Sequence, residues 1–106
     1  MLASYRKTHS KILLVMLYRQ GDTLICGVKI DAQREIPADS ITCRVEDIYG
    51  NTRYTYGNDR ITHNVGNILA FAITANETSA LPIGHYFVKI DIYNESAIDV
   101  LTFDIA

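Results

Sequence analysis

Three histidines (His9, His63, His85), two cysteines (Cys26, Cys43) and the acidic trio Asp31, Glu35 and Asp39 are the residues whose types suit chemistry. Their spacing assigns them none. Catalysis needs groups brought within hydrogen-bond reach, and its local signatures are missing. There is no nucleophile elbow, no His-x-x-x-His pair, no Cys-x-x-Cys and no phosphate-cradling glycine loop. His85 lies beside a turn and His63 precedes Asn64, positions that suit surface or turn roles. Asp31, Glu35 and Asp39 share one loop with Arg34. Oxygen ligands so spaced could hold a weak calcium ion, but a solvated acidic loop is the simpler reading. No catalytic, cofactor or metal residue is assigned, and the chain is read as a non-enzyme.

The segment with more to offer is Tyr49–Asn58, "YGNTRYTYGN". Tyr54 and Tyr56 are two apart, so they share a face if Thr52–Tyr56 is a strand, with Arg53 on the other face. Tyr49 flanks a hairpin. Aromatic rings stack on sugars and anchor protein interfaces. Tyr49, Arg53, Tyr54 and Tyr56 are therefore the candidate interface or sugar contacts. The plainer alternative is a tyrosine pair packed on its own sheet.

The elements that must position these residues are strands. The chain has 106 residues, 48% of them hydrophobic and 21% charged. That is one globular domain, residues 1–106, with 1–10 as a loose N-terminal arm. Gly-Asn occurs at 50–51, 57–58 and 66–67, and both residue types tolerate the positive φ of tight hairpins. The runs between them are rich in Ile, Val, Thr and Tyr. Strands are expected at 11–19, 23–30, 40–48, 52–56, 60–64, 68–74, 85–93 and 98–105. Leu24, Cys26, Val28 and Ile30 alternate inward, as do Ile41, Cys43 and Val45, and Tyr86, Val88, Ile90 and Ile92. Thr42, Arg44 and Glu46 point outward. The last strand changes phase near Val100–Leu101, which a bulge explains. One helical turn is expected at Asn76–Leu81, capped by Thr74 or Asn76 and stopped by Leu81-Pro82. Seven to eight short strands with turns every eight to twelve residues indicate an all-β, immunoglobulin-like antiparallel β-sandwich, with a small barrel as the alternative.

Composition excludes several function classes. The net charge is −2, with no basic stripe, which argues against nucleic-acid binding. The apolar run Ile12–Tyr18 is short and is followed by Arg19, Gln20 and Asp22, so it reads as a strand and not as a signal peptide. No segment approaches the ~18 apolar residues of a membrane span. Ile12–Leu17 is apolar on both faces, as in a central strand or in an edge covered by a partner. Cys26 and Cys43 sit on inward phases and read as buried free thiols in a reducing site of synthesis. An immunoglobulin-type disulfide needs a wider separation, with a Trp between the cysteines, and this chain has no Trp.

Two resemblances follow. "TSALPIGHY" at 78–86 is similar to the "T-x-x-L-P-x-G-x-Y" crossover of small immunoglobulin-like modules in bacteriophage and prophage tail proteins, matching at Thr78, Leu81, Pro82, Gly84 and Tyr86. The opening "R-x-G-D-T" of those modules is matched by Arg19, Gly21, Asp22 and Thr23. This resemblance implies a structural module of a virion, in a baseplate or tail-fibre attachment. It would be made in the bacterial cytoplasm and act as a homo-oligomer or against neighbouring virion proteins. Leu81, Pro82, Gly84 and Tyr86 are then structural turn residues. The stretch from Gly21 to Asp59 also resembles the sugar-binding domain of O-antigen-exporting ABC transporters, at Asp47, Gly50, Gly57 and Asp59. That resemblance implies an oligosaccharide as the alternative partner.

Overall fold

The structure, a computed structural model, describes residues 2–6, 15–93 and 95–106, with side chains for 16–93 and 101–106. Its strands are β1 (Leu2–Arg6), β2 (Val15–Tyr18), β3 (Leu24–Asp31), β4 (Ile41–Asp47), β5 (Thr52–Tyr56), β6 (Thr62–Asn64), β7 (Ile68–Ile73), β8 (Gly84–Ile92) and β9 (Glu95–Ile105). A 3-10 turn spans Ala38–Ser40, and one short helix, α1, spans Ala75–Ser79. The strands form a four-stranded sheet in the order β1-β3-β7-β6 and a five-stranded sheet in the order β2-β9-β8-β4-β5. The fold is an immunoglobulin-like β-sandwich.

Three features differ from expectation. Leu2–Arg6 is not a loose arm but a strand beside β3, its backbone donors and acceptors satisfied by that edge. The sandwich is not wholly antiparallel, because β1 runs parallel to β3 and β2 parallel to β9. The N-terminal segment thus contributes one strand to each sheet. Of the strand expected at 11–19, Val15–Tyr18 forms β2, and 11–14 lie outside the described residues.

The core follows the period-two pattern. Leu24, Cys26, Val28 and Ile30 face inward from β3, against Ile41, Cys43 and Val45 of β4 and Val88 and Ile90 of β8. Aromatic pairs lie in the core. Tyr56 of β5 packs on Phe71 of β7 across the layers, with ring centroids 5.3 Å apart. Tyr86 stacks on Phe103 at 5.4 Å. The phase change in β9 is a bulge: Val88 pairs with Leu101 but Lys89 with Asp99, leaving Val100 as the extra residue.

Of the three Gly-Asn pairs, two close hairpins. Gly50-Asn51 joins β4 to β5. Gly66-Asn67 joins β6 to β7 with both residues at positive φ, 82° and 57°. Gly57-Asn58 instead opens the link by which the chain leaves the five-stranded sheet for the other. Asn67 is buried because its side chain serves a second purpose. Its Oδ1 accepts from Ile36 N at 2.7 Å and its Nδ2 donates to the Arg34 carbonyl at 2.8 Å, pinning the loop between β3 and β4.

α1 begins with a capping box. Thr74 Oγ1 accepts from Glu77 N, and the Glu77 carboxylate accepts from Thr74 N at 2.9 Å. Leu81 then plugs the sandwich end and Pro82 breaks the helix. The Tyr86 hydroxyl donates back to the Pro82 carbonyl. This is the tyrosine corner of immunoglobulin-like domains, at the start of the strand that follows the crossover.

Candidate functional site

A shallow groove of about 350 Å³ lies at one end of the sandwich, between the β4–β5 hairpin and the turn that enters β8. One wall is built by Asp47. Its carboxylate accepts the N–H groups of Tyr49 at 2.9 Å and Asn51 at 3.0 Å, closing the hairpin tip on itself. Burial works against the charged form of Asp47. The donors on Asn51 and Tyr49, with Arg53 nearby, more than offset it and hold the carboxyl below its usual range. The tip so fixed presents Ile48 at 59% and Tyr49 at 82% exposure. Arg53 lies 3.8 Å from Asp47, across the same tip.

The opposite wall is Pro82-Ile83-Gly84, from which Ile83 projects at 70% exposure. His85 and Tyr86 complete the lining. His85 Nδ1 contacts the Asp104 carboxylate, and its ring meets Phe87 edge-on. Leu17 of β2 pairs with Asp104, so Leu17, Asp104 and His85 form one row across three strands. Leu17 is itself 70% exposed, so this end of the molecule carries four large apolar side chains in water.

Beside the groove, the outer face of the five-stranded sheet is electrostatically closed. Arg44 binds Asp91 through two nitrogens and also contacts Glu46, and Lys89 reaches Glu46 at 3.1 Å. Glu46 points outward, as its phase requires, yet is only 6% exposed because these two cations cover it.

The predicted contact residues divide. Tyr54 and Tyr56 do share a face, but that face is turned inside, against Phe71 of the other sheet. Tyr56 is 1% exposed. Burial, followed by the Glu77 charge, raises its phenol, which closes no hydrogen bond of normal geometry. Arg60 lies over the Tyr56 ring at 4.7 Å and donates to Glu77 at 2.9 Å. Tyr54 is half-buried and donates to the Glu77 carbonyl at 2.8 Å. As surface contacts these two tyrosines are corrected to core and scaffold, while Tyr49 and Arg53 do line the groove.

Leu81 and Tyr86 are buried, and Pro82 and Gly84 form the groove's wall. Asp47 and Gly50 belong to the hairpin tip, whereas Gly57 and Asp59 belong to the link after β5. Of the acidic trio, Glu35 accepts from Gly66 N at 2.7 Å. Among the described residues no three His, Cys, Asp or Glu side chains converge, and no helix is long and apolar enough to cross a membrane.

Leu17 ends the run Ile12–Leu17, read from sequence as a central strand or an edge covered by a partner, but Ile48 and Ile83 were not singled out by sequence. Their signal was present: Ile48 is out of phase with Ile41, Cys43 and Val45, and Ile83 sits between the Pro and Gly of a turn, where no strand directs it inward. No protein-family model and no curated protein sequence matches the chain.

Proposed function

We propose that this chain is a non-enzymatic assembly module of a phage or phage-derived particle, joining neighbouring proteins or copies of itself through the sandwich end described above. The observation that carries this is the exposure of Ile48, Tyr49 and Ile83 around one groove, with Arg53 between them. Fully burying a large apolar side chain is worth about 1.5–3 kcal/mol. Three together supply the apolar centre of an interface burying ~800 Å² per partner, and Tyr and Arg are enriched at such centres. The resemblance to tail modules supports the particle context, and its Leu-Pro-x-Gly-x-Tyr residues build one wall of the groove.

The test is light scattering of the protein alone and mixed with the products of neighbouring genes. The double variant Tyr49→Ser/Ile83→Ser should abolish association while keeping its β-sheet circular dichroism. Association unchanged in that variant would overturn the proposal, as would a strict monomer that binds no neighbour.

A further inference from the structure

The end of the sandwich opposite the groove carries an apolar knob. β4 starts at Ile41, just after the loop that Asn67 pins, and ends at Asp47 in the groove wall. The tip of the β6–β7 hairpin, Val65-Gly66-Asn67, therefore sits at the Ile41 end. The Asn67 carbonyl fixes it there by accepting from Ile30 N at 2.9 Å, near the end of β3. Six steps of strand separate the two ends, about 20 Å.

Val65 is the anomaly. Hairpin tips favour Gly, Asn, Asp and Ser, and a β-branched apolar side chain there gains nothing from the core. Val65 is 89% exposed, more than any other large hydrophobic residue whose side chain is described. The tip that presents it is held rigidly. Gly66 N donates to Glu35 Oε1 at 2.7 Å, and the Asn67 side chain bonds the adjoining loop through both its oxygen and its nitrogen. The Gly66 bond also places a carboxylate one residue from the knob.

We infer that a second copy of this chain inserts its Val65 hairpin tip into the groove at Tyr49, so that copies stack head to tail. This rests on the assembly reading above and names its partner. Two complementarities select a second copy. The groove is concave, about 350 Å³, with Ile48, Tyr49 and Ile83 exposed around it, whereas the tip is convex and led by a single valine. Arg53 stands 3.8 Å from Asp47, beyond hydrogen-bond reach, so its donors remain for a carboxylate, and Glu35 carries one beside Val65. Two grooves cannot fill one another, so a two-fold contact between them would leave the apolar side chains partly wet. A contact between opposite ends is heterologous. It leaves one knob and one groove free, and it propagates to a ring or an open filament.

A hairpin tip in a shallow groove buries less than about 1,200 Å² in all, so the association is weak and depends on concentration. The experiment is sedimentation equilibrium of the parent and of two variants, each altered at one end, up to about 1 mM. The parent's mean mass should rise with concentration past that of a dimer. Val65→Ser alone and Tyr49→Ser/Ile83→Ser alone should each stay monomeric with parent-like circular dichroism, since all three positions are exposed. Mixed one to one, they should form a dimer that grows no further, because only the groove of the first and the knob of the second are intact. Glu35→Gln keeps an oxygen for Gly66 N and should weaken association roughly two- to five-fold, with a smaller salt dependence. Val65→Ser associating like the parent, while the groove variant stays monomeric, would overturn this inference and leave the assembly reading standing. A parent that stops at a dimer, or a mixture of the two variants that stays monomeric, would overturn it equally. So would a parent that is monomeric throughout, and the assembly reading would then be decided by the binding of neighbouring gene products.

Discussion

The hydroxyl of Thr78 donates to the carbonyl of Asp22 at 2.6 Å and accepts the N–H of Gly21 at 3.1 Å. One fully buried side chain therefore joins the turn before β3 to the helix before β8. Gln20 adds a third link, donating to the Leu81 carbonyl at 2.8 Å. Gly21 can make its approach because it sits at φ 91°, a conformation side-chain-bearing residues rarely adopt. The stretches Arg19–Thr23 and Thr78–Tyr86 are thus one structural unit, which holds one wall of the groove at Tyr49.

Replacing Thr78 with Val keeps the shape and removes the hydroxyl. The N–H of Gly21 loses its partner and the Asp22 carbonyl loses its donor, at a cost of about 1–3 kcal/mol. Thr78→Ser keeps the hydroxyl and should cost less than Thr78→Val. Urea unfolding of both variants checks this, and a Val variant as stable as the parent would remove Thr78 from the role of hub.

The tyrosines of "YGNTRYTYGN" should separate cleanly. Tyr56→Ala empties a core site against Phe71 and should cost about 3–5 kcal/mol. Tyr49→Ser, at a hairpin tip, should change stability by less than about 0.5 kcal/mol. Thermal melts of the two single variants measure the contrast.

That contrast also marks what the sequence makes legible. Alternation fixes which residues of β3, β4 and β8 face the core, because a strand's period is two whatever its neighbours do. The bulge in β9 is visible for the same reason. Alternation says that Tyr54 and Tyr56 share a face. Whether that face is wet depends on β5 lying over Phe71 of the other sheet, a contact between residues 15 apart in the chain that no local pattern encodes. The pairing of Leu2–Arg6 with β3 is equally non-local. The exposed set Leu17, Ile48 and Ile83 is local in signal but is assembled only by the register of four strands, β2, β9, β8 and β4.

The two thiols face the core from opposite sheets. Burial raises Cys26 to about 12 and raises Cys43 as well, so neither forms the nucleophilic thiolate near neutral pH. Reaction with a disulfide reagent at pH 8 should therefore proceed at the rate of unfolding and accelerate with urea in step with loss of β-signal. Fast labelling of either cysteine in the native state would show that the sheets part locally.

The last expectation is a pH dependence centred on Glu77. Burial works against its charged form, but hydrogen bonds from Arg60 and from Thr74, together with the Arg60 charge, win, and the carboxyl titrates below its usual range. Asp47 is lowered in the same sense by its turn N–H groups. A carboxyl depressed in the folded state binds its proton less readily there than in the unfolded chain. Its contribution is therefore present in full well above the unfolded value of about 4 and is lost as pH falls through the folded value. The melting temperature should be flat between about pH 6 and 8 as far as these groups are concerned, and should fall below about pH 5. Glu77→Gln cannot ionise, so its melting temperature should start lower at neutral pH and decline less steeply toward pH 3. Arg60→Gln should likewise flatten the acid limb, because it removes the cation that favours the Glu77 charge. Thermal melts across this range on the parent and both variants decide the matter. An acid limb of equal slope in all three would place the proton-linked stability elsewhere in the fold.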